Sequence, residues 1–93
     1  MSGENYLRAA YGYLYLGDFK EAMEAFSRAV AAEPDNPSYY FFGSVTAMRN
    51  QNWETALRWA REAVRLVPDD ALYQEHIRLV ESCARSSDTV DSN

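Results

Sequence analysis

The chain has little of what surface chemistry usually requires: one cysteine, one histidine and one lysine in 93 residues. A lone Cys83 cannot close an internal disulfide, which points to a reducing compartment. A lone His76 has no second histidine with which to build a metal site or a triad. Glycine is scarce and forms no phosphate-binding loop. Positive charge is scarce too: 9 Lys and Arg face 14 Asp and Glu, for a net charge of −5. That balance excludes the basic footprint of nucleic-acid or anionic-lipid binding. No apolar run reaches membrane-spanning length, and the opening Met1-Ser2-Gly3-Glu4 has neither the basic nor the apolar region of a signal peptide. These absences predict a cytoplasmic protein that touches neither nucleic acid nor membrane, with no cofactor, no metal and no catalytic site.

What is present is a repeat. Pro34 and Pro68 lie 34 residues apart, and Phe19, Ala22, Ala29 and Val30 recur as Trp53, Ala56, Ala63 and Val64 at that same offset. Asp35-Asn36 recurs as Asp69-Asp70. Between these landmarks the turns are well marked. Asp18 and Glu21 have the spacing of a capping box, and Asn52 sits where it caps a helix starting at Trp53. Asn36 precedes a proline at a first helical position. Pro34 and Pro68 bias Glu33 and Val67 away from helical geometry. The pattern predicts helices over Glu4–Leu16, Phe19–Glu33, Pro37–Asn50, Trp53–Val67 and Asp70–Arg85. Residues 86–93 have too little apolar mass to order themselves and read as a disordered tail.

The residues Tyr6, Ala9-Ala10, Tyr13, Ala22, Phe26 and Pro34, and again Tyr40, Gly43-Ser44, Ala47, Ala56, Ala60 and Pro68, resemble the pattern of the tetratricopeptide repeat. The Gly17-Asp18-Phe19 turn is similar to that family's loop, although its Leu-Gly pair is absent from both units. The resemblance spans about residues 3–85. It implies an all-α solenoid: units of about 3–36 and 37–70, then a capping helix of about 70–85. Small residues, including Gly12, Gly43 and Ser44, fall on the packing faces, where helices must approach closely. Trp53 and Trp59 read as packing residues, Trp59 being the better candidate for partial exposure.

Within the last helix, Leu72, Tyr73, His76, Ile77, Leu79, Val80, Cys83 and Ala84 fall in an arc of roughly 160° at helical periodicity. The polar remainder suits a terminal helix. His76 and Cys83 on this stripe read as packed side chains, not as a base and a nucleophile. Asp69 and Asp70 read as caps, since no oxygen-rich loop surrounds them.

Charge divides the helices. The second helix of each unit has an ordinary charged face, with Glu24/Arg28 and Glu54/Arg58 at the favourable four-residue spacing. The first helices are bare: Ala9–Leu16 and Pro37–Met48 carry no charge. The resemblance implies that these bare helices line a concave groove. Its groove positions fall on Leu7, Tyr11, Leu14 and Tyr15, then on Phe41, Val45, Met48 and Arg49, then on Leu72, Glu75, Leu79 and Cys83. Leu7, Tyr11, Phe41 and Val45 stand where peptide-gripping relatives place a carboxylate clamp, so a C-terminal tail ligand is not expected. The groove suits an apolar or amphipathic peptide segment held helix-in-groove, with Arg49 and Glu75 as polar selectors. The expected function is an adaptor or chaperone-like module that binds another protein. The alternative is self-assembly, a second copy covering the same apolar helices.

Overall fold

The computed structural model describes residues 8–10, 12 and 14–91, with side chains as far as Ser86. A first helical stretch, α1, is described at residues 8–10, 12, 14 and 15. It is followed by α2 (Phe19–Ala32), α3 (Pro37–Arg49), α4 (Trp53–Leu66) and α5 (Ala71–Asp91). No strand occurs among the described residues. The fold is all-α, and α2 packs on α3, α3 on α4 and α4 on α5.

The repeat holds at the level of single backbone bonds. Glu33 N–H donates to Ala29 O at 2.9 Å, and Val67 N–H donates to Ala63 O at 3.0 Å. Backbone angles at those two caps nearly coincide, φ −136° and ψ 75° against φ −135° and ψ 77°. The turns that follow close identically, Asn36 N–H to Glu33 O and Asp70 N–H to Val67 O, each at 3.2 Å. Equivalent sequence therefore makes equivalent structure, as two copies of one supersecondary unit must.

Each expected helix end at Glu33, Asn50 and Val67 proves to be the C-cap just beyond the helix. Asn36 Oδ1 accepts from Ser38 N–H at 3.1 Å, and Asn52 Oδ1 accepts from Thr55 N–H at 3.3 Å. Asp70 Oδ1 accepts from Leu72 and Tyr73 N–H groups and so caps α5. Asp18 does not match its expected capping box: its side chain makes no cap bond. The helix start is held there by backbone alone, Ala22 N–H to Asp18 O at 3.0 Å.

Apolar packing forms two clusters. The larger joins Ala10, Ala25, Phe26, Tyr40, Trp59, Ala63 and Tyr73; the smaller joins Ala47, Ala56 and Val80. Trp59 is buried, only 6% exposed, against the expectation that it would be the more open tryptophan. The cause is Gly43: a Cβ there would lie 2.6 Å from Trp59 Cε3, so the glycine leaves the space the indole fills. Gly12 has no such role among the described residues: it is exposed, and a Cβ there would meet none of them within 4 Å. From α5, Tyr73 and Val80 enter the core, and each such side chain contributes about 1.5–3 kcal/mol. The backbone of α5 runs on to Asp91, into the segment expected as a tail, because no proline or glycine stops it.

Candidate functional site

On α3, four-residue spacing puts Phe41, Val45 and Arg49 on one stripe, one helical turn apart. Together with Phe42, Thr46 and Leu14 of α1 they line a concavity of about 380 Å³. Five of the six lining residues are uncharged, and the sixth, Arg49, is exposed. Thr46 is fully buried, and its hydroxyl donates to the Phe42 carbonyl at 2.9 Å, so its proton is already engaged.

Phe41 is the floor of this site and is held from behind. Its ring lies 5.2 Å from Phe42 edge-on, 5.3 Å from Tyr73 and 5.0 Å from His76. Edge-to-face and tilted contacts at these separations are favourable beyond simple burial. The terminal helix therefore orients the Phe41 ring, although no α5 residue lines the pocket.

Of the residues expected in the groove, Leu14, Phe41, Val45 and Arg49 are thus brought together. Met48 is not: it packs, half-buried, against the Ala47–Ala56–Val80 cluster. Leu72 and Leu79 are about half exposed on α5, and Glu75 is exposed there as well. None of the three reaches this pocket. Tyr15 is 92% exposed and Cys83 half-buried. Leu7 and Tyr11 lie outside the described residues. Phe42 and Thr46 line the pocket without having been expected there. The signal for them was weak, since α3 is uncharged on every face before Arg49.

Behind Phe41 lies a buried polar relay. Ser44 Oγ is 2.6 Å from the Ala56 carbonyl, so its hydroxyl must donate there. His76 Nε2 lies 2.8 Å from the same Oγ and is therefore the protonated nitrogen, donating to it. Serine and histidine at this separation would resemble a nucleophile and its base. Here the proton runs the wrong way, and Ser44 is fully buried. The relay ties α5 to α3 and α3 to α4. Burial lowers the His76 pKa from its ordinary value.

Among the described residues no cluster of His, Cys, Asp and Glu could hold a metal ion, and no helix is long and apolar enough to cross a membrane. A family model described as the tetratricopeptide repeat matches residues 7–71, most of the chain and both helical units. No curated protein matches it significantly.

Proposed function

The chain belongs to the tetratricopeptide repeat family, whose helical repeats serve protein–protein interaction, and from that membership we propose an adaptor or chaperone-like module that holds an apolar or amphipathic peptide segment. The carrying observation is the uncharged concavity of Leu14, Phe41, Phe42 and Val45, with Phe41 fixed from behind by Tyr73 and His76. A rigid aromatic that needs no reordering on binding is the kind of anchor that dominates an interface. One or two apolar side chains buried there, at about 1.5–3 kcal/mol each, suit weak and reversible capture.

Val45→Asn is the cleanest test. Val45 is half-buried, and valine and asparagine have similar helix propensity, so the helix should survive while the wall turns polar. Random dodecapeptides displayed on phage should be enriched for apolar anchors by the natural chain, and the variant should lose at least about tenfold in affinity. A well-folded variant that keeps its affinity, or a natural chain that enriches nothing apolar, would overturn the reading.

A second reading, self-assembly, is favoured by Tyr15 and Leu16, which are 92% and 70% exposed at the end of α1. Light scattering across a concentration series separates the two. Self-assembly requires the mass to double with concentration and Tyr15→Ser to suppress the doubling.

A further inference from the structure

We infer that the segment held at this site carries an acidic side chain, Asp or Glu, beside its apolar anchor, and that Arg49 reads that carboxylate. This rests on the groove reading above and adds the chemistry of the ligand. Arg49 is the sole charge on α3, because Pro37–Met48 carries none, and it stands on the rim of the apolar pocket. The chain has 14 acidic residues against 9 basic ones, yet among the described residues no carboxylate pairs with this guanidinium. Arg65 behaves otherwise, its Nε 2.8 Å from Glu62.

Hydrogen bonding points the same way. A guanidinium offers five N–H donors and no acceptor. The one other polar side chain lining the pocket, Thr46, already donates to Phe42 O. Thr46 is also fully buried, so a ligand group at the exposed rim meets the Arg49 donors, and a carboxylate is the acceptor that matches a guanidinium in planar, bidentate geometry. A net charge of −5 repels acidic segments at long range. At physiological ionic strength, however, the Debye length is about 8 Å, so a group in contact with Arg49 senses it more strongly than charges beyond that length. The rim is exposed, which suits a side chain whose remaining lone pairs stay in water.

A simpler role for Arg49 is a cation in the last turn of α3, facing the negative end of the helix dipole. That role predicts a small change in melting on substitution and no effect on the charge of bound peptides. The dodecapeptide display tells the two apart when run with the natural chain, Arg49→Glu and Arg49→Gln. The natural chain should enrich apolar residues flanked by Asp or Glu. Arg49→Glu should enrich apolar residues flanked by Lys or Arg, and Arg49→Gln should show no charge preference. A synthetic consensus peptide with its acid changed to the amide should bind the natural chain about two- to fivefold more weakly, and Arg49→Gln no differently. Apolar enrichment without charge preference, or the same acidic peptides on Arg49→Glu, would overturn this inference and leave the groove reading intact. Dependence on a free C-terminal carboxylate instead of the side chain would overturn it as well. Absence of any apolar enrichment would remove both.

Discussion

At the scale of single residues, two positions decide how closely the helices meet. Gly43 stands under the Trp59 ring, with Phe26 Cβ 3.3 Å from where its own Cβ would be. Gly43→Ala would gain about 0.8–1 kcal/mol of helix propensity and lose about 1–3 kcal/mol to overpacking. Because Trp59 is buried and cannot swing aside, the loss should win, and urea unfolding should show a net destabilisation of up to about 2 kcal/mol. An unchanged or raised midpoint would mean that the indole has room to move. His76 is the second position. Burial lowers its pKa from 6.5, so the unfolded chain takes up a proton that the folded one resists. The stability it supports is complete above the unfolded value and is lost as pH falls through it toward the lowered folded value. His76→Gln keeps an amide donor for Ser44 Oγ and cannot titrate. Between about pH 7.5 and about pH 5 the natural chain should lose more stability than this variant. Equal losses would assign the acid sensitivity to the carboxylates.

At the scale of elements, the turns between the helices of the two units share a left-handed backbone but not the residue that adopts it. Gly17 has φ 79°, and its equivalent Gln51 has φ 60°, a left-handed conformation that glycine adopts freely and glutamine does not. Gln51 is held there by a Schellman closure of α3: Asn52 N–H donates to Ala47 O at 2.8 Å, and Gln51 N–H to Met48 O at 3.0 Å. A left-handed residue other than glycine costs about 1–2 kcal/mol, and glycine costs about 0.5–1 kcal/mol in unfolded-chain entropy. Gln51→Gly should therefore stabilise by about 0.5–1 kcal/mol, read as a higher urea midpoint at unchanged slope. No gain would mean that the turn carries no strain.

At the scale of the whole molecule, stability runs from one helix to the next, and α5 closes the stack. A chain ending at Pro68 would lose Tyr73 and Val80 from the core and the His76 donor from Ser44. Two buried side chains at about 1.5–3 kcal/mol each approach the lower end of a small domain's stability, about 5–15 kcal/mol. Circular dichroism should show that this shortened chain has lost its cooperative melt; a melt like that of the full chain would show α5 to be dispensable. The same truncation would remove Tyr73 and His76 from behind Phe41, so peptide capture should fail with it.

The order of the described helices and most of their ends were legible in the sequence, because proline, the Asn36 and Asn52 caps and the 34-residue register act on neighbouring backbone; the backbone-only start at Asp18 and the far end of α5 were not. Leu14, Phe41, Val45 and Arg49 were expected together only through the groove positions that the repeat resemblance implies. The sequence could not orient α3. With apolar residues on nearly every side, periodicity gives no preferred face, and only packing sent Met48 into the core cluster and Phe42 and Thr46 to the pocket. Nor could it pair Gly43 with Trp59 or His76 with Ser44, since those contacts join different helices. Such matches depend on crossing geometry, which the side chains of three helices fix together and no local segment encodes.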